Sequence, residues 1–445
     1  MAHHQLFEWE ARRFGTAGEI PVEDAERLVR AAAAPAARLK GSQHAFDFGR
    51  DALTAQNLVG MVAASGTSCE ILPKIDREQG GSTERGGDAP QLRAQLIRML
   101  VVAHDLPIAD DAATTMETQR HTLLEILITR FVATLTEAVR RGLPRFYVAH
   151  EEDLPALRGR LDVTRQFSTL AASPQRLACR YDEFSDDIAL NQVMKAAVTR
   201  LRQLARSTAN QRALAELALF YADVRTVPAM ALRWDRIVPD RTNARWQGVL
   251  RLARLILGDR FQNSAHGGAD GFALLFDMNA LFERYVEKLL APIAATQGAR
   301  LVAQGGTRSC LHPEDGSDPL FATYPDMRIV RDGRDAMVID TKWKRLTDPV
   351  TDRKMGVSQA DIYQLMAYAQ LYDCPRLVLL YPHHAGLGSP LPAHHRIADK
   401  DGGVRLTIAA IDLTNHDTAR AGLAALIDVG SFEGRFHNRI MRYWP

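Results

Sequence analysis

The sequence predicts an α/β protein, and three observations carry that expectation. From about residue 263 onward, segments of helical period alternate with segments of strand period. Within that stretch an Asp332-Gly333 pair, a strong hairpin signal, joins two strand-like runs, 323–330 and 336–344. The rest of the chain mixes a hairpin with amphipathic helices and then turns mainly helical. This divides the 445 residues into a mixed α+β N-terminal part (1–115), a mainly helical connecting region (116–262) and an α/β domain (263–445).

Each element has a local reason. "PVEDAERLVRAAAAPAARL" (21–39) opens on Pro21, with acids early and arginines late, as the helix dipole favours. "NLVGMVAASGTSCEILPKI" (57–75) reads as two strands around a Ser-Gly-Thr turn. The segment 76–91 is Gly-rich, charged and without periodicity, and reads as a loop. Apolar residues at three- and four-residue spacing predict helices in 91–106, 118–143 and 186–208, with short strands and turns in 147–167 between them. The Arg- and Trp-bearing stretch 233–254 suits either phosphate contacts or an amphipathic helix with a solvated basic face. After the Gly-rich "SAHGGADG" (264–271) the expected order is helix (274–294), strand (299–304), the hairpin, helix (358–373) and strand (376–381). These would build around a sheet of three or four strands.

Composition narrows the function classes. The chain is 46% apolar and 24% charged with a net charge of +2, so any polyanion surface must be local rather than global. The basic charge is almost all arginine, 47 of 55. Four dispersed cysteines and no C-x-x-C argue against a disulfide framework or a zinc ribbon. No signal-like N-terminus and no run of 18 apolar residues occur, so a reducing cytoplasm and no membrane are expected. The adjacent histidines at 3–4 and 383–384 would point apart on a strand and are not expected to bind a metal. No G-x-x-x-x-G-K-[ST] occurs, so the chain supplies no nucleotide motor of that type.

The chemistry concentrates in "YPDMRIVRDGRDAMVIDTKWKRL" (324–346). In an extended strand Asp340 and Lys342 share one face, while Ile339, Thr341 and Trp343 share the other. A two-residue loop alone would set Asp326 opposite Ile339. A three-residue loop, or one bulge, sets Asp326 opposite Asp340 with Cβ atoms roughly 5 Å apart, and this register is the expected one. Two carboxylates that close repel unless a cation lies between them. Two Asp side chains with a strand carbonyl suit Mg²⁺, with Mn²⁺ as the alternative. Such an ion is a Lewis acid and acidifies water, and Lys342 would stand beside the reacting phosphodiester. Glu283, on the helix "FDMNALFERYVEKLL", is a further carboxylate expected at the metal. On "SQADIYQLMAYAQLY", Gln364 and Tyr368 share a helix face and suit the phosphate or the metal shell, and Ser358 with Asp361 forms a capping-box variant. A second D-x-K, Asp352-Arg353-Lys354, reads as a solvated loop.

This succession of helix-Glu, hairpin with PD and D-x-K, then Q-x-x-x-Y helix resembles the PD-(D/E)xK nuclease superfamily. More specifically it resembles the McrC family, the nuclease subunits of McrBC-type modification-dependent restriction systems. "LFDMNALFERYVEKLL", "YPDMRIVRDGRDAMVIDTKWKRL" and "DIYQLMAYAQLY" carry the likeness in the C-terminal domain. "VGMVAASGTSCEILPKID" and "RGRLDVTRQF…CRYDEFSDDIALNQVMKAAV" extend it over most of the chain, with 76–91 and the 264–271 joint looking like variable insertions. The resemblance implies a C-terminal PD-(D/E)xK restriction-endonuclease-like core, with Asp326, Asp340 and Lys342 as its catalytic motif and Glu283 and Gln364 in support. It implies an N-terminal domain that docks on an McrB-like hexameric AAA+ GTPase, which reads and translocates double-stranded DNA, so that GTP enters only through the partner. The hairpin 57–75 or the loop 76–91 is the expected docking element.

Two other readings compete. A free-standing RecB-like or Cas4-like repair nuclease also uses Q-x-x-x-Y, but only Cys374 follows Lys342, too few for the cluster that many of those enzymes carry. A non-cutting adaptor that stimulates a GTPase would have no need of Asp326, Asp340 and Lys342.

Overall fold

A computed structural model describes residues 2–15, 19–37, 44–74, 89–107, 122–173, 175–238, 244–257, 271–388, 391–397 and 403–428. The 76–91 loop (but for its last residues), the joint at 264–271 (but for its last residue) and both expected domain boundaries, near 115 and 262, lie outside them. The chain is mixed α/β, with ten α-helices and five sheets among the described residues. None of these helices is long and apolar enough to cross a membrane.

The expected hairpin forms from strands Leu58–Ala64 and Thr67–Leu72, every residue of which is buried. It sits inside a four-stranded sheet, between Ala2–Phe7, parallel to Thr67–Leu72, and Phe272–Asp277, antiparallel to Leu58–Ala64. The last strand corrects the expectation of a helix from 274. "FALLFD" is a continuous apolar run that either period accommodates, and burial on both faces selects the strand. Gly60 makes this pairing possible: it has φ +135°, and a Cβ there would stand 1.9 Å from the Leu274 carbonyl oxygen. Helix Val22–Ala37 covers one side of this sheet, with Leu28 and Ala32 packed against Val62 and Ala273.

The helical middle packs its apolar stripes together. Phe131 and Leu135 of helix Leu123–Val139, Val193 and Val198 of Ala189–Leu204, Leu214 of Thr208–Phe220 and Leu252 of Gln247–Leu257 join one core, with Trp246 fully buried among them. In the 233–254 stretch the basic face is solvated: Arg251 and Arg254 are exposed, and Arg254 lies over the Trp234 ring at 5.2 Å. The first part of the 147–167 segment lies in a three-stranded ribbon in which Phe146–Leu154 and Arg160–Leu161 pair with Leu177–Ser185, but its end forms the short helix Val163–Ser168 capped by Asp162 instead of a strand or turn.

The C-terminal sheet has six strands rather than three or four. Its order is Arg300–Ala303, Met327–Arg331, Arg334–Thr341, Arg376–Pro382, Arg405–Ile411 and Ala393–Arg396. The first three run antiparallel, Arg334–Thr341 and Arg376–Pro382 run parallel, and so do Arg376–Pro382 and Arg405–Ile411. Helices Met278–Thr296 and His416–Ile427 cover one face: Met337, Ile339, Val378 and Leu380 pack with Phe282, Val286 and Leu423. Helix Gln359–Leu371 covers the other, where Val338, Leu377 and Leu379 pack with Leu365 and Tyr368. Two-sided cover explains why the central strands read as unbroken apolar runs.

Candidate active site

The site begins with the register of the hairpin. Arg331 faces Arg334 across a two-residue loop, Asp332 and Gly333, both in the left-handed region at φ 49° and 76°. One bulge follows. Ile329 pairs with Met337 and Val330 with Asp335, leaving Ala336 as the extra residue. Met327 therefore pairs with Ile339, and Asp326, one residue earlier, comes level with Asp340. Of the two routes to the expected register, the chain uses the bulge.

Alternation then places the groups. Val338 enters the core beneath helix Gln359–Leu371, and Asp340 follows it on that same face. Asp326 reaches across the strand end: its Oδ2 accepts from both the backbone N–H and the hydroxyl of Thr341, each at 2.7 Å. Asp340 is 1% exposed, and neither of its carboxylate oxygens accepts from a backbone N–H or a neutral side chain. The Lys342 ammonium stands 2.6 Å from Asp340 Oδ2 as an ion pair. Burial first, and the Asp326 charge second, push the Asp340 pKa up to about 6. Burial pulls Lys342 the other way, but the carboxylates of Asp340, Asp326 and Asp361 outweigh it, and its pKa is raised.

Helix Gln359–Leu371 supplies the roof. Ser358 caps it, accepting from the Asp361 N–H at 3.1 Å. Gln364 Nε2 donates to the Tyr368 hydroxyl at 2.6 Å, and that hydroxyl donates to the Tyr324 carbonyl at 3.2 Å. The phenol thus ties the helix to the chain entering Pro325-Asp326. Burial raises its pKa to about 12, and the nearby Asp340 and Asp326 add to the shift. Asp361 belongs here too. It is buried, with Lys342 at 3.8 Å and Lys344 at 3.5 Å. Sequence reasoning assigned it only to the cap. Its spacing, three before Gln364 and seven before Tyr368, marks the same helix face and is the signal that would have found it.

Glu283 lies elsewhere. Its helix covers the opposite face of the sheet, and its carboxylate accepts from Gln304 Nε2 at 2.7 Å. The Gln304 N–H in turn donates to the Asp326 carbonyl at 3.0 Å. Among the described residues no group of three or more His, Cys, Asp or Glu side chains stands close enough to hold a metal ion, so Glu283 does not join Asp326 and Asp340 in one cluster. The pair itself suits a hard divalent cation: the ligands are carboxylate oxygens, and those of Asp340 are buried with only the Lys342 ammonium against them. The second D-x-K is a separate turn, in which Asp352 accepts from the Lys354 and Gly356 N–H groups at 2.9 and 2.8 Å. His384 is buried, its Nε2 at 2.8 Å from the Leu346 carbonyl, a structural role.

Fold and site together define an α/β protein with a two-aspartate, one-lysine centre, its Asp340 buried, at the edge of a hairpin. The family model described as the McrBC 5-methylcytosine restriction system component matches residues 53–382, and the chain belongs to that family. Among solved structures it is similar to a chain of the refined half-complex from the tetradecameric assembly of Thermococcus gammatolerans McrB AAA+ hexamers with bound McrC. That likeness has 19% identity, covers 96% of this chain and 100% of the other, and has a TM-score of 0.67. A chain of the cryo-EM structure of the Thermococcus gammatolerans McrBC complex is similar at 22% identity over 66% of this chain and 88% of the other, with a TM-score of 0.47. The first likeness establishes a shared fold. No curated protein matches the sequence.

Proposed function

We propose that this chain is the metal-dependent endonuclease subunit of an McrBC-type restriction complex, built on a PD-(D/E)xK core. It hydrolyses phosphodiester bonds in foreign modified DNA when driven by a GTPase partner. The observation that carries the reading is Asp340: a buried carboxylate with no backbone or neutral side-chain donor, level with Asp326 and met only by a lysine two residues on. Core packing has no use for such a group, whereas a cation site does.

Asp326, Asp340 and a strand carbonyl would hold Mg²⁺, or Mn²⁺ in its place. That ion, when bound, supplies Lewis acidity and lowers the pKa of water. The protein's own groups do the rest. Thr341 fixes the Asp326 carboxylate through two hydrogen bonds, so its direction is set before DNA arrives. Lys342 offsets the charge that builds on the non-bridging phosphate oxygens and orients the attacking water. Asp361 holds that ammonium from the helix side. Gln364 faces the phosphate, and Tyr368 anchors the Pro325-Asp326 segment. Glu283 supports the same segment from the other side through Gln304.

The partner reading rests on the family and on the fold-level neighbour, in which McrB AAA+ hexamers carry bound McrC. An AAA+ GTPase hexamer would supply GTP hydrolysis and translocation. The family description makes 5-methylcytosine the first DNA modification to test. The test is cleavage of methylated plasmid by the full-length chain with its AAA+ partner, GTP and Mg²⁺. Cutting that needs all components and is lost in Asp340→Ala supports the reading. Equal behaviour of wild type and Asp340→Ala would make the chain a non-cutting adaptor, and cutting independent of GTP would make it a free-standing nuclease.

A further inference from the structure

Trp343, the residue after Lys342, is tied to the far end of the sequence. Its indole Nε1 donates to Glu8 Oε2 at 3.1 Å, a contact spanning 335 positions. Its ring meets Phe282 at 5.5 Å, and its backbone N–H donates to Asn279 Oδ1 at 3.4 Å. Glu8 itself is 2% exposed and sits in a turn with little freedom. The N–H of Glu8 donates to the Leu72 carbonyl, that of Trp9 to the Ala55 carbonyl and that of Glu10 to the Phe7 carbonyl, each at 3.0 Å. The same Glu8 Oε2 accepts from the Lys74 N–H at 3.2 Å. Two donors from distant segments therefore converge on one buried oxygen. Burial pushes the Glu8 pKa up to about 7, against the hydrogen bonds from Trp343 and the Lys74 N–H, with the Asp277 charge adding a smaller upward push. A glutamine would accept the same two hydrogen bonds without the cost of a buried charge, so the acid is not explained by packing.

We propose that Glu8 is a positioning residue for Lys342, setting it through Trp343 and so linking the N-terminal sheet to the catalytic strand. The inference rests on the nuclease reading. On one side the Lys342 N–H is fixed to the Leu380 carbonyl at 2.9 Å, and on the other Trp343 is fixed to Glu8 and Asn279. The peptide between residues 342 and 343 is held at both ends. Release of the indole frees that peptide to pivot and draws Nζ from its 2.6 Å contact with Asp340. A misplacement of about an ångström is enough to slow a positioned reaction by one to two orders of magnitude.

The experiment uses the full-length chain with its AAA+ partner. Glu8→Ala and Trp343→Phe are each expected to lower turnover about tenfold or more while leaving the KM for DNA unchanged. Their combination is expected to be no worse than either alone. Glu8→Gln keeps the acceptor and should restore turnover to near the wild-type level at pH 6. Independently of activity, the Trp343 emission, taken as wild type minus Trp343→Phe, should step near pH 7 and be flat in Glu8→Gln. Should Glu8→Ala not fold, Trp343→Phe and the emission titration decide alone. Additive losses, a changed KM, or a featureless emission titration would overturn the role of Glu8. Full turnover in Glu8→Ala beside an inactive Asp340→Ala would overturn this inference but spare the nuclease reading, whereas Asp340→Ala cutting like wild type would remove both.

Discussion

Two buried carboxylates, one in each half of the molecule, have opposite surroundings. Glu70, on the N-terminal strand Thr67–Leu72, is fully buried and fully served. Arg93 meets it with two hydrogen bonds, at 2.9 and 2.6 Å, and the Leu123 N–H adds a third at 2.9 Å. Asp340 is as deeply buried, yet among the described residues its carboxylate is met by the lysine of its own motif and by no backbone N–H or neutral side chain. The first arrangement closes a fold. The second leaves an acid met only by a neighbouring lysine, surroundings that the proposed divalent cation would complete. Burial of an acid therefore says little about its role; the donors around it say more.

The contrast can be broken or sharpened in order of expected effect. Asp340→Ala should reduce cleavage by about ten-thousand-fold, measured under single-turnover conditions, while the chain still folds. Lys342→Met should cost about 10²–10³-fold, because it removes charge compensation rather than the cation's ligand. In the N-terminal half the loss should fall on stability instead. Arg93→Ala strands a buried charge and should cost about 3–5 kcal/mol in chemical denaturation. Should Arg93→Ala be neutral and Asp340→Ala unfold the chain, the comparison would be inverted.

A smaller effect follows from pH. The folded chain binds the Asp340 proton more tightly than the unfolded chain does, with a pKa of about 6 against an ordinary value near 4. Ionising the group therefore lowers stability, and the penalty is absent below about pH 4 and complete above about pH 6. Asp340→Asn, which mimics the neutral acid, should match wild type at pH 4 and exceed it by about 2–3 kcal/mol at pH 7.5, read as a Tm difference. Saturating Mg²⁺ should narrow that gap by stabilising wild type alone. The smallest expectation concerns the second D-x-K: Asp352→Ala should leave cleavage unchanged, since that carboxylate serves only its own turn.

How far the site could be read from sequence depended on whether its signals were local. Asp332-Gly333, the alternation after it and the need to bring two acids level were enough to place Asp326 against Asp340, although the choice of a bulge at Ala336 over a longer loop was open. The pairing of Gln364 with Tyr368 followed from four-residue spacing. Asp361 was hidden because a capping position explains an acid equally well. For Glu283, spacing gives a helix edge, but only the assembled sheet shows which face that helix covers and that the carboxylate meets Gln304. The last four residues of strand Phe272–Asp277 fall inside the expected helix because an apolar run carries no period, and the partner strand Leu58–Ala64 is remote in sequence. Glu8 had no local signal at all, because its significance lies in a contact with residue 343.

The central proposal is that Asp340 and Asp326 share one divalent cation. The most direct measurement is a crystal structure of the full-length chain soaked in Mn²⁺, with anomalous scattering recorded at the manganese edge. The account predicts a single peak between the carboxylates of Asp326 and Asp340, with Lys342 withdrawn from its ion pair and no peak in Asp340→Asn. A pair left unchanged around the 2.6 Å Lys342 contact at saturating Mn²⁺, with no density between the acids, would contradict it.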